Sequence, residues 1–198
     1  TTPEGLRAIE TLSVGDLVET LDHGPQEIRW IASRKLNNVD LILKPKLRPI
    51  RIESGALGMC LPLRDLCVSP QHRMLIRSPI AARMFDENEM LIAANKLTEA
   101  PGIAQDATTW SVTYVHMLFD RHEIVFAEGA PTESLFTGAQ VMKLISSEAR
   151  EEIATLFPQI GLDSHNPRMA RSVPKRGRQA RKLVQRHVKN KKSLIVEV

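Results

Sequence analysis

The sequence predicts a mostly β fold of irregular form, carrying a C-terminal amphipathic helix and a basic tail, and three observations lead there. From Thr1 to Phe136 short apolar bursts are separated by turn residues such as Gly15-Asp16, His23-Gly24-Pro25, Ser54-Gly55 and Glu128-Gly129, with no strong helical periodicity. After Gly138 apolar residues recur at three- and four-residue steps instead. The charge balance then shifts: residues 1–163 hold 16 Lys/Arg against 22 Asp/Glu, whereas 164–198 hold 11 against one.

Taken in order, the strands expected are Ile28-Arg29-Trp30-Ile31, Ile50-Arg51-Ile52, Leu66-Cys67-Val68, Met74-Leu75-Ile76, Met90-Leu91-Ile92 and the stretch from Ser111 to Phe119. Ala139, Val141, Met142, Leu144, Ile145, Ala149, Ile153, Leu156 and Phe157 predict an amphipathic helix over about 139–157, ended by Pro158 and Gly161. Residues 163–174, rich in Pro, Ser and Asn, read as a linker. A last basic helix is expected near 175–190, with Ala180, Leu183, Val184 and Val188 as a narrow apolar stripe too slight to fold alone. The expected organisation is a β domain over 1–138, the helix packed on it over 139–162, and the tail over 163–198.

The 198 residues, 42% hydrophobic but only 4% aromatic, suffice for one sizeable, mainly aliphatic core. No apolar run approaches the roughly 18 residues of a membrane span, and the N-terminus lacks a basic-then-apolar signal pattern. A soluble domain is expected, cytoplasmic or exported as part of a larger bacterial protein; the oligomeric state is left open. Cys60 and Cys67 have no metal-ligand partner at useful spacing and are expected to be two buried thiols. Neither a metal nor a cofactor is expected.

Three segments bear on chemistry. Thr2-x-x-Gly5-x-x-x-Ile9-Glu10-x-Leu12-x-x-Gly15-Asp16-x-Val18 reads as a small apolar hairpin with a glycine turn. Leu66 to Ile76 sets Ser69-Pro70-Gln71-His72 between two apolar strands; a histidine there can project into a cleft and donate a proton to a reacting amide, or be a turn residue with an ordinary hydrogen bond. In Val112 to Gly129, strand alternation puts Tyr114, His116 and Leu118 on one face, and Asp120-Arg121 turns the chain before His122. Both histidines can equally be partners of backbone carbonyls.

In this order the three segments resemble the motifs of the Hint (hedgehog/intein) autoprocessing family, in its bacterial subgroup. The first is similar to the second half of the opening motif, Cys-x-x-x-Gly-Thr-x-Ile-x-Thr-x-x-Gly followed by Gly-Asp-x-Val. Ser69 and His72 match the signature Thr-x-x-His conservatively, and Tyr114 stands eight residues before His122 as in the last motif. Asp22-His23-Gly24-Pro25-Gln26, Phe119-Asp120-Arg121-His122-Glu123, Glu133 to Gly138 and Ala149 to Ile153 also look like the subgroup, so the resemblance spans roughly 2–158.

The resemblance implies a Hint-type β fold and a single-turnover self-cleaving module whose partner is an upstream polypeptide in cis. A cysteine would attack the preceding carbonyl to give a thioester. His72 would assist departure of the amide nitrogen, Ser69 would hydrogen-bond the same peptide, and His122 would support the intermediate. Val115 stands where inteins often place Asp or Asn, which makes His116 the better polar candidate on that strand. Matching the motif to Thr2 places the cysteine about eight residues before Thr1, so the chain as given is expected to be inert, as a sequence that starts late or a degenerate copy. Glu133 and Ser134 replace the terminal His-Asn pair of splicing elements, and N-terminal cleavage or transfer is expected instead. The competing readings are a basic-tailed binding module and a structural cap on a larger protein. With no aromatic residue among the Lys and Arg of 168–192, nucleic acid is an unlikely partner although the tail is basic.

Overall fold

A computed structural model describes residues 1–135, 147–156 and 169–197. In chain order its strands are β1 (Leu17–Thr20), β2 (Gly24–Glu27), β3 (Trp30–Leu36), β4 (Ile50–Ile52), β5 (Leu66–Val68), β6 (Arg73–Arg77), β7 (Glu89–Ala93), β8 (Ile103–Gln105), β9 (Val112–Leu118), β10 (Ile124–Ala127) and β11 (Ala130–Glu133). Its α-helices are α1 (Asn38–Leu43), α2 (Pro79–Phe85), α3 (Ala94–Leu97), α4 (Ser147–Leu156) and α5 (Gly177–Lys189). The fold is mostly β, with antiparallel pairings throughout the named strands. Two compact units divide it: one formed by 1–47, 109–125 and 133–170, the other by 48–108, 126–132 and 171–198.

In the first unit β1 pairs with β2 across the turn before Gly24, whose φ of +62° suits a residue without a Cβ. The long ladder β3–β9 runs from Trp30 opposite Leu118 to Leu36 opposite Val112. The strand expected over 28–31 is therefore displaced: Ile28 is fully buried between β2 and β3, and the regular pairing starts at Trp30. Val18, Ile28, Met117, Phe119 and Val125 form one apolar cluster, and Leu36, Leu41, Leu47, Tyr114 and Leu156 another. Tyr114 is buried because its hydroxyl donates to the Leu47 carbonyl at 2.7 Å. Leu156 belongs to α4, the described part of the helix expected over 139–157; 136–146 and 157–168 lie outside the described residues.

In the second unit β4 is flanked by β5 and β8, while β6 pairs with β7 over five residues and with β11 at Met74–Thr132. Ile50, Ile52, Met74, Ile76, Met90, Ile92 and Leu97 form its aliphatic core. Helix α5 is built into that core through Ala180, Leu183 and Val184. Val188, expected on the same stripe, is 41% exposed, and His187 takes the inward position. The neutral ring is tolerated there because Nδ1–H donates to the Lys192 carbonyl (3.3 Å) while Nε2 accepts from the Ser78 hydroxyl (3.0 Å). After α5 the chain returns to the core with Leu194 and Ile195, and Gly58 admits it: a Cβ there would stand 2.5 Å from the Ser193 Cβ.

Both cysteines are exposed, contrary to the buried thiols expected from composition. Cys67 pairs with Arg51 across β4–β5, and strand alternation turns that pair outward while Val68 and Ile50 face the core. Cys60 sits in the left-handed region (φ +58°) at the tip of the Gly58–Leu61 turn.

Candidate functional site

The polar quartet predicted between two apolar strands is a tight turn joining β5 to β6. The His72 N–H donates to the Ser69 carbonyl at 3.1 Å, and Pro70 presets the backbone between them. The start of α3 braces the turn from outside: Ala94 N–H donates to the His72 carbonyl (2.8 Å) and Asn95 N–H to the Pro70 carbonyl (3.0 Å). Those two N–H groups have no acceptor inside their own helix, so bracing the turn also completes the helix. Ser69 is buried at 2% exposure and His72 is half-buried.

The imidazole is held as firmly as its backbone. His72 Nε2 lies 2.5 Å from the Thr132 hydroxyl oxygen, which is itself 3.0 Å from the Arg73 carbonyl. A threonine hydroxyl has one proton and two lone pairs. When it donates to the Arg73 carbonyl, its oxygen accepts from His72, which places a proton on Nε2. Thr132 comes from β11, paired with β6 opposite Met74, so strand register sets the distance.

His122 follows β9 within the other unit. Its ring is fully buried; Nδ1 accepts the Ala170 N–H at 3.1 Å, which leaves the proton on Nε2, 3.5 Å from the Glu133 carboxylate. The loop around it is doubly tied, because Ser134 N–H donates to the Glu123 carbonyl and the Ser134 hydroxyl oxygen accepts the Glu123 N–H, each at 2.9 Å. Glu123, only 1% exposed, receives His23 Nδ1 at 2.9 and 3.1 Å from its two oxygens. Arg29 grips Asp120 through paired contacts of 3.0–3.1 Å at the exposed end of the same loop. His116, half-buried on β9, stands opposite Ala32 of β3.

The structure thus brings Ser69 and His72 together in one turn of the second unit and sets His116 and His122 in the first. Sequence reasoning missed Thr132, Glu123 and His23 as partners of these groups, and gave Glu133 and Ser134 no such role, reading them as part of a subgroup-like segment and as departures from a splicing pair. A signal was available: Thr132, Glu133 and Ser134 are three polar residues in a row at the end of β11, and all are buried. Buried polar side chains in succession must find partners. Among the described residues no group of three or more His, Cys, Asp or Glu is placed to hold a metal ion, and no helix is long and apolar enough to cross a membrane.

The mostly β fold with its antiparallel sheets agrees with what a comparison with protein families finds: the model of the Hint domain matches residues 1–139. The chain belongs to the Hint domain family, whose modules process the polypeptides that carry them. No curated protein and no solved structure matches it.

Proposed function

We propose that this domain cleaves or transfers the polypeptide joined to its N-terminal side by an acyl shift to cysteine, with His72 as the proton donor. The observation that carries this reading is the anchoring of His72: a braced turn fixes its backbone, and Thr132 fixes its ring through Nε2, so that the other ring nitrogen, Nδ1, is the one that exchanges a proton with a substrate. A general acid must present its proton at a fixed place as the leaving group departs.

The family motif sets the nucleophilic cysteine ahead of Thr1. Its thiol gives up its proton as the sulfur bonds to the preceding carbonyl carbon, the C–N bond breaks, and the departing amine takes a proton from Nδ1 of His72, which the thiol proton replaces. Water, an amine or another nucleophile then releases the upstream segment as acid or adduct and restores the thiol. Ser69 orients the scissile peptide; in the other unit His122 has Glu133 beside its Nε2, and His116 is the further polar group of that strand. Splicing is not the outcome, because Ser134 has no side-chain amide to cyclise at the position of the family's asparagine.

The test is a fusion in which a reporter domain is joined to this chain through a family-type segment beginning with Cys, followed by electrophoresis and mass spectrometry with and without a small thiol. Reporter release, accelerated by thiol and slowed about 100-fold or more by His72→Ala, supports the reading. A folded fusion that stays intact under both conditions overturns it.

A further inference from the structure

We infer that the outer face of helix α5 is a docking surface for the phosphate backbone of duplex nucleic acid. The inference is independent of the autoprocessing reading and begins with how the helix is fixed. Ala180, Leu183, Val184 and His187 face the core of the second unit, so both the rotation and the position of α5 are set by packing. At about 100° per residue, Arg178, Arg181, Lys182, Arg186 and Lys189 fall within one arc of about 140° on the opposite side. All five are exposed, and Lys191 and Lys192 extend the row past the end of the helix.

What the five side chains do not do matters as much. Three exposed arginines elsewhere find carboxylates: Arg29 takes Asp120, Arg51 takes Asp65 and Arg64 takes Glu128. Among the described residues no acidic group pairs with Arg178, Arg181, Lys182, Arg186 or Lys189. Residues 164–198 contain a single acid, Glu197. Among the described residues this row of cations is therefore not neutralised.

Its chemistry selects the partner. Membrane-surface helices bind by burying an apolar face, and here that face is already occupied, with only Val188 partly exposed. Single strands are held by aromatic stacking, and no aromatic residue occurs between 168 and 192. Regularly spaced phosphates remain. A 13-residue helix spans about 20 Å, and duplex DNA offers one negative charge per about 1.7 Å of axis over that length. Such contacts fix position without reading bases, so no sequence preference is expected.

The test is fluorescence anisotropy of the whole chain with a labelled 20-base-pair duplex of arbitrary sequence from 50 to 200 mM salt. Five phosphate contacts give a log–log slope of about −4.5, a weakening of about 500-fold across that range. The variant Arg178→Gln, Lys182→Gln, Arg186→Gln, Lys189→Gln should lose most binding and reduce the slope to about −1 while its melting curve is unchanged. The variant Arg34→Gln, Lys35→Gln, Lys44→Gln, Lys46→Gln removes as much exposed charge from elsewhere and should bind nearly as the wild type. Absence of duplex binding at 50 mM salt, equal loss in the two variants, or binding to phosphatidylserine vesicles in place of the duplex would each overturn the inference.

Discussion

Replacing Ser78 by alanine removes one hydroxyl that serves two helices. Its oxygen accepts the Ala81 N–H at 3.1 Å and caps the start of α2, while its proton goes to His187 Nε2 on α5 at 3.0 Å. Ser78 and His187 are each 1% exposed, so water does not replace the lost group. Loss of an N-cap costs about 1 kcal/mol, and a buried ring nitrogen without its donor costs about 1–3 kcal/mol. Ser78→Ala should therefore destabilise the protein by about 2–4 kcal/mol in urea denaturation at pH 7.5, with the m-value unchanged. Burial holds the His187 pKa below its ordinary value of 6.5, although the Lys192 and Ser193 backbone partly offsets this. Below pH 6.5 the unfolded chain takes up a proton that the folded chain does not, so wild-type stability is full above that pH and falls as the solution is acidified toward the folded pKa. A loss under 1 kcal/mol on Ser78→Ala would refute the two-helix role of the hydroxyl.

Three further outcomes follow from the same geometry. His23→Ala leaves the Glu123 carboxylate buried without its ring partner and should cost about 1–2 kcal/mol in thermal or urea unfolding, less than a fully enclosed pair because His23 is itself partly exposed. Tyr114→Phe deletes the bond to the Leu47 carbonyl and should cost about 1–2 kcal/mol in the same measurement. Both thiols should react with an aromatic disulfide reagent without denaturant, Cys67 more slowly than Cys60 at pH 8, because burial raises the Cys67 thiol pKa and thins its thiolate.

The strands Ile50–Ile52 and Leu66–Val68 were legible to the residue because Gly, Pro and charged residues bracket them and β-branched or aliphatic side chains fill them. The short helices were not, since six or seven residues cannot display a 3.6-residue period. Their caps were nevertheless written in the sequence. Asn37 accepts the Asp40 N–H while Asp40 accepts the Asn37 N–H, and Ser78-Pro79 combines an N-cap with a proline at the first helical position. The turn carrying Ser69 and His72 was legible as a polar quartet between strands. Its fixation by Thr132 was not, because 60 residues separate that partner from His72 and only the β6–β11 register joins them. His187 was passed over for Val188 because hydrophobicity alone ranks valine inward. At about 100° per residue position 187 lies closer to the centre of the Ala180–Leu183–Val184 face, and two hydrogen bonds make the ring acceptable there.

The central claim is that His72 supplies a proton to the nitrogen leaving its acyl bond. The most direct measurement is the rate at which hydroxylamine converts the reporter of the Cys-bearing fusion to its hydroxamate, followed by mass spectrometry for the wild-type sequence and for His72→Ala. The account predicts a hydroxamate at the residue preceding the cysteine, formed about 100-fold or more slowly in the variant although the variant remains folded. Equal rates in the two proteins, or a reporter released only as the free acid with hydroxylamine present, would contradict it.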